Sequence, residues 1–458
     1  MRCILAIAGQ TMTSAVRFRL VIVAALLLAV CIIALPFLVR HNGTARMFAQ
    51  VMLTYNLTII TGLLAFLTLW LACGALASEV ESGQLQLVAV KPIARWQLWL
   101  GKWLGVVGIN ILLLGMSVGA AWLLLHWRAR ELSVDQQTVL RTEVLVARGS
   151  LREVPVDLEK DVAALVRERR QRPDAADLDP AMIEQQMRVL AEVRIQTVAP
   201  NFRRLWTLDM GPRAASLRDQ PLHLRVRFRS AKGFDSSLHN TVWIVGDVAG
   251  GRFSRIPVQM AADVAREFVI PANLFDAQGL LHVECENRGG TTLLFRLEDG
   301  LELLYPAGGF TPNLLRGTAV VMCWLALLAA VGLAASSFLS FPSATLASLS
   351  LLYLGLSGGS FSEAVREGSV FGLDHETNQP TARTLDTLFL PVFRLLNLVV
   401  NSITDYSPIS DLSTGRVVGW DTLIGAIAQI VLLAGGLFAA IGMAALTRRQ
   451  LGLPNTTS

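Results

Sequence analysis

The sequence predicts a membrane all-α bundle of six transmembrane helices, joined to one extracytoplasmic α+β domain. That domain reads as helical in its first half and β-sandwich-like in its second. Three observations carry the prediction. Six apolar stretches, at 20–39, 52–76, 98–125, 317–339, 343–358 and 422–446, are each near the ~20 residues that cross a bilayer as a helix. Charged residues make up only 16% of the 458-residue chain, against about a quarter in soluble domains, so much of the surface faces lipid. One long polar segment, 128–313, separates the third stretch from the fourth.

Ahead of the first span, Ile4, Ile7, Ala8, Met12 and Val16 share a helical face that Arg17 and Arg19 close. Such a helix suits the membrane interface; a plain frayed terminus is the competing reading. The run at 20–39 has the length of a span rather than the 7–15-residue core of a signal peptide. The fifth stretch is short, rich in small residues and follows Pro342; its competing reading is a re-entrant or interfacial segment. Basic residues near span ends set the orientation. Arg17, Arg19, Lys91, Arg95, Lys102, Arg448 and Arg449 fall on one side, and Arg40, Arg46, Arg128, Arg130 and Arg316 on the other. The bias places both termini in the cytoplasm and the insert outside. The expected division is 1–127 (interfacial helix and spans 1–3), 128–313 (soluble domain), and 314–458 (spans 4–6, an outer loop at 359–420 and a short cytoplasmic C-terminus). The setting expected is the bacterial inner membrane.

The insert reads as helical over 150–200. Leu158, Val162, Leu165 and Val166 share one face, and Ile183, Met187, Leu190 and Val198 another. Asp179 caps the second helix and Pro180 fits its first turn. The β-rich part is expected over 220–306. Apolar and polar residues alternate along 222–229, around Val283 and Cys285, and around Phe295 and Leu297, the mark of half-buried strands.

Composition and spacing also argue against several chemistries. A net charge of +5 with scattered basic residues gives no nucleic-acid footprint. Cys3, Cys31, Cys73, Cys285 and Cys323 show no metal-ligand spacing, and Cys285 has no partner for a disulfide within the polar region. Among His41, His126, His223, His239, His282 and His375 no two stand at i,i+3 or i,i+4, the usual sign of a metal-binding helix face. His223 and His282 occupy polar strand positions and are expected to face solvent. No nucleophile–base motif is recognisable, so an enzyme is not expected. Asn56 and Asn110 lie inside spans, where a polar side chain joins helices or lines a polar path. Trp99, Trp103, Trp122, Trp127 and Trp420 flank spans as interface anchors would.

The most informative stretch is the loop at 77–97 between the second and third spans. Glu79, Glu81, Ser82 and Gly83 lead into an apolar turn with Leu85, Leu87 and Val88, which Lys91-Pro92 stops before Arg95. Gly101-Lys102 then opens the next span. Carboxylates at one end, apolar residues in the middle and basic residues at the other suit docking to a soluble partner, with the apolar part filling a groove and the charges fixing register. An ordinary charged turn is the competing reading.

The order Glu-x-Glu-Ser-Gly, apolar helix, Lys-Pro-x-x-Arg, then Gly-Lys resembles the coupling-helix loop of ABC transporter permeases of the type-2 exporter family. The nearest likeness is to the multi-copper enzyme maturation and gliding-motility permease subgroup. It covers the six spans and their inner loops, and leaves out the insert, which most members lack at this size. The resemblance implies that Glu79, Glu81, Ser82, Gly83, Leu85, Leu87, Lys91, Pro92 and Arg95 contact a separate ABC ATPase subunit, which binds ATP and Mg. It implies a second permease half, identical or a sibling, and export of a substrate that the sequence does not name. No G-x-x-x-x-G-K-[ST] phosphate loop occurs in the chain, as a separate ATPase requires. Leu356-Ser-Gly-Gly-Ser360 looks like an ATPase contact motif but ends an apolar span. Two alternatives stay open: a mechanotransmitting subunit acting on an envelope partner through 128–313 without transport, and a membrane-anchored periplasmic binding module.

Overall fold

In a computed structural model the chain forms two compact units, Met1–Ala147 with Gly308–Ser458, and Arg148–Ala307. The structure describes all residues except 1, 18, 39–43, 82–93, 154–157, 172–179, 221, 233–236, 249, 277, 298, 360–361, 363–364, 366–390, 392, 395–396, 398–399, 401–405 and 449–458. The long helices, in chain order, are α1 (Arg2–Arg17), α2 (Leu20–Leu38), α3 (Ala45–Glu81), α4 (Arg95–Arg128), α5 (Leu158–Arg170), α6 (Pro180–Gln196), α7 (Phe310–Ser336), α8 (Phe341–Leu356) and α9 (Trp420–Arg448).

Among the described residues, four helices of the first unit are long and apolar enough to cross a membrane: Met47–Glu79, Arg95–Glu131, Phe310–Ser336 and Trp420–Arg448. The pair α1–α2 adds a fifth only when its two bent halves are taken as one span. With 16 residues, α8 is about 24 Å long, short of the ~30 Å hydrocarbon layer. The chain is thus a membrane protein with four clear spans among the described residues; the six that the sequence led us to expect are not all shown. Packing relies on close backbone approach. At Gly332 of α7 an added Cβ would stand 2.7 Å from the Ala72 methyl and 3.3 Å from the Leu69 carbonyl of α3. Small residues at such crossings let helices gain dispersion contact where no hydrophobic force acts between them. The buried centre is apolar, with Ile60, Leu64, Leu69, Val320, Leu325 and Ala329 sealed inside. The middle of α9, Ile427–Gly435, is wound as a π-helix.

Two departures from the sequence reading concern this unit. Helix α1 buries Ile7, Ala8 and Ala15 against protein, where the glycines of α4 leave it room, while Val16 is exposed. Trp99 is 2% exposed and Trp103 donates its indole N–H to the Ala326 carbonyl at 2.9 Å. Trp99 packs inside the bundle and Trp103 is half-buried against it, whereas Trp127 and Trp420 are exposed.

The second unit is a β-sandwich with a helical pair. Its strands are β1 (Val146–Leu151), β2 (Thr197–Val198), β3 (Arg203–Asp209), β4 (Leu222–Val226), β5 (Arg229–Ser230), β6 (Leu238–Asp247), β7 (Arg252–Ala261), β8 (Arg266–Ile270), β9 (Leu280–Asn287), β10 (Leu293–Leu294) and β11 (Leu301–Gly309). One four-stranded sheet has the order β1-β11-β4-β8 and the other β3-β9-β6-β7. Counting only these eight strands, the orders read first-eighth-third-sixth and second-seventh-fourth-fifth. That is the connectivity of an eight-stranded jelly roll, two interleaved Greek keys. A small sheet, β2-β10-β5, lies beside them. The inward residues of both sheets, among them Trp206, Leu208, Leu224, Val226, Trp243, Val245, Ile270, Val283, Cys285 and Leu303, form one core.

Strands begin at β1, Val146–Leu151, and β2 and β3 also precede position 220, where the β-rich part was expected to start. The alternation of Arg203–Asp209 is disguised by Arg204, which points inward with Trp206 and Leu208: its guanidinium lies 4.5 Å from the Trp206 ring centroid and 2.9 Å from Glu153. The expected strand around Phe295 is only Leu293–Leu294; Phe295 fills the core and Leu297 is exposed. His223 is 8% exposed and does not face solvent as its strand position suggested. It lies between Leu304 and Val269 across the sheet, on a face where Arg148 pairs with Glu267 at 3.0 Å and Arg152 with Glu302 at 3.0 Å. A sheet face carrying paired charges can be buried, so polar alternation alone does not predict exposure. In the helical pair, Val162, Leu165 and Ala191 are buried, whereas Leu190 is 38% exposed; Ala191 takes the inner position that periodicity gave to Leu190.

Candidate functional site

The loop singled out by its sequence starts where α3 ends at Glu81 and finishes where α4 begins at Arg95. Ser82, Gly83, Leu85, Leu87, Lys91 and Pro92 lie outside the described residues, and the Glu81 side chain is likewise outside them. The loop's two stems are described, and three features fix them.

The first is an ion pair. Lys102 is 2% exposed, and its Nζ lies 2.6 Å from Glu79 Oε2 and donates to the Ala75 carbonyl at 2.6 Å. Glu79 is more open, with 27% of its side chain exposed. An ammonium taken out of water needs such partners, because an unpaired buried charge costs several kcal/mol. The pair ties the end of α3 to the first turns of α4. Its carboxylate therefore has an intramolecular partner already.

The second is Arg95. Its Nη1 donates to the carbonyls of Leu446 and Thr447, each at 2.6 Å. These carbonyls belong to the last turn of α9, where backbone acceptors have no helical partner and the helix dipole favours a cation. Arg95 thereby joins the end of the loop to the end of the last span.

The third is α1. It lies along α4 where Gly101, Gly105 and Gly108 leave room. A Cβ at Gly101 would fall 2.7 Å from Ile7 Cβ, and one at Gly105 would fall 2.6 Å from Thr11 Cβ and 2.9 Å from the Ala8 carbonyl. The stems of the loop, the start of α4, the amphipathic α1 and the end of α9 thus form one mechanical unit.

Of the two intramembrane asparagines, Asn110 is fully buried and its Oδ1 accepts from Thr68 Oγ1 of α3 at 2.9 Å. Asn56 is 4% exposed and its amide donates to the Met52 carbonyl, one turn back in its own helix, at 2.8 Å. Asn110 joins two helices, whereas Asn56 satisfies itself locally and borders a small apolar void lined by Met52, Leu57, Val118, Trp122 and Phe310. Sequence reasoning passed over Asn313, which is fully buried. It donates to the Arg416 carbonyl at 2.7 Å and accepts from Val418 N–H at 2.7 Å. An asparagine at the start of a span was its only sign.

Among the described residues no group of three or more His, Cys, Asp or Glu could hold a metal ion. In the jelly roll, burial pushes the Cys285 thiol up, against the pull of Arg204, which leaves it protonated and inert. Burial likewise pushes Glu153 up while Arg204 pulls it down.

Comparison with protein-family models, characterised proteins and solved structures gives no match to this chain.

Proposed function

We propose that the chain is the permease half of an ABC transporter, coupling ATP hydrolysis in a separate ATPase subunit to export of a substrate across the bacterial inner membrane. The observation that carries the reading is the clamped loop. Its sequence has the order of a coupling-helix loop, and its stems are fixed to α4 by Glu79–Lys102 and to α9 by Arg95. A force applied to residues 82–93 would reach α3, α4, α9 and α1 together, since all are fastened at that end. Both termini are cytoplasmic in this reading, and a second permease half completes the pathway.

A second reading keeps the ATPase and dispenses with a substrate. Helix α4 runs 34 residues without a break, about 51 Å, well beyond the ~30 Å hydrocarbon layer. A rod of that length can carry motion to an outer domain acting on an envelope partner.

The test is purification of the full chain from native membranes with the loop intact and with 82–93 replaced by a Gly-Ser linker. The reading predicts that an ATPase subunit accompanies the intact chain and is lost with the linker. ATP hydrolysis by the chain alone would remove it.

A further inference from the structure

The jelly roll has an opening along one edge. β1 and β3 are edge strands of its two facing sheets, and on this side Glu153, just past β1, reaches Arg204 of β3 at 2.9 Å. Beside this bridge lies a cleft of ≈ 440 Å³ lined by Leu151, Asp209, Met210, Arg213 and Tyr305. That volume falls within the ~300–1,000 Å³ of small-molecule sites.

The cleft is built by local structure. Tyr305 lies flat over β1 because position 149 is glycine: a Cβ there would overlap the phenol ring. The Tyr305 hydroxyl accepts from Arg213 Nη1 at 3.0 Å, which holds the guanidinium at the rim. Asp209 ends β3, and its Oδ1 accepts the Gly211 N–H at 2.8 Å; Gly211 has φ +53, the left-handed geometry that glycine adopts at low cost. Met210 is 6% exposed and forms the floor with Leu151.

We propose that this cleft binds a neutral sugar residue. The lining holds one guanidinium and one carboxylate, so it carries no net charge that would select an anion or a cation. Adjacent hydroxyls on a saturated ring can accept from Arg213 and donate to Asp209, both charge-assisted hydrogen bonds. The C–H face of the same ring fits the Leu151–Met210 floor. A purely apolar ligand would take the charged Arg213 and Asp209 groups out of water and offer their remaining hydrogen-bonding sites nothing in return.

The test uses the full-length protein in nanodiscs, titrated with glucose, galactose, mannose, N-acetylglucosamine and their disaccharides, and with inorganic phosphate and glycine as competitors. Saturation-transfer NMR and calorimetry read binding. At least one sugar binds saturably, and Arg213→Ala and Asp209→Asn each weaken it at least about tenfold, the loss of one charged hydrogen bond. Gly149→Val does the same by displacing Tyr305. Arg255→Ala, on the opposite edge strand β7, leaves binding unchanged. Near-UV circular dichroism confirms that each variant is folded. No saturable sugar binding across the panel overturns the proposal. So does sugar binding that survives Arg213→Ala in a folded variant, or displacement of the sugar by phosphate or glycine.

Discussion

Removing either partner of the Glu79–Lys102 pair has unequal consequences. Glu79→Gln leaves an ammonium that is 2% exposed with one strong acceptor, the Ala75 carbonyl at 2.6 Å. Breaking a buried pair while leaving the charge in place costs about 3–5 kcal/mol. Lys102→Met removes the buried charge and keeps its volume. The carboxylate left behind has 27% of its side chain in contact with solvent and can rehydrate, so the loss is near that of one charged hydrogen bond, about 1.5–3 kcal/mol. Once the carboxylate is gone, Lys102→Met recovers part of the stability, because it also removes the stranded ammonium. The assay is SDS-titrated unfolding in detergent, followed by tryptophan fluorescence, with the double mutant closing the cycle. Stability ranks parent, Lys102→Met, double mutant, Glu79→Gln. If Lys102→Met costs as much as Glu79→Gln, or both fall within about 0.5 kcal/mol of the parent, the pair is solvated and the clamp does not exist.

Two further outcomes follow from the geometry. Thr68→Val with Asn110→Ala gives a coupling energy of about 0.6 kcal/mol and no more than about 1.7, the range of interhelical hydrogen bonds in bilayers. Reconstituted export that changes selectivity without a change in stability would make Asn110 part of a path instead. In the jelly roll, burial acts to raise the Asp276 carboxyl, but the N–H groups of Leu280 and Gln278 and the neighbouring His282 outweigh it and hold the group below its usual range. A depressed carboxyl contributes stability above its unfolded pKa, about 3.9, and loses it as pH falls through the folded value. Asp276→Asn therefore melts earlier than the parent at neutral pH, and the gap closes in strong acid. A gap that is constant with pH would show that the charge plays no part.

What could be read in advance follows from which interactions are local. The spans at Met47–Glu79, Arg95–Glu131, Phe310–Ser336 and Trp420–Arg448 announce themselves because lipid demands an unbroken apolar run. Strand β9 was visible because Leu281, Val283 and Cys285 alternate with His282 and Glu284 on a half-buried sheet. β3 was hidden because Arg204 takes an inward position through a partner distant in sequence, Glu153, while its guanidinium lies over the ring of Trp206. His223 was misread for the same reason: paired charges on the neighbouring strands let its face be buried. The clamp was half legible. Glu79, Arg95 and Lys102 were singled out as charges of a docking loop, but their partners on α4 and α9 come from the fold. The cleft was not legible at all, since Leu151, Asp209, Arg213 and Tyr305 meet only when the sandwich closes.

In the proposed reading, residues 82–93 dock on an ATPase. A photo-crosslinking amino acid at Leu85, irradiated in native membranes and analysed by mass spectrometry, tests it directly. Docking gives one dominant adduct, to an ABC-type ATPase, that disappears when Lys91 is reversed in charge. Adducts to lipid alone, or to a protein without a nucleotide-binding motif, would contradict it.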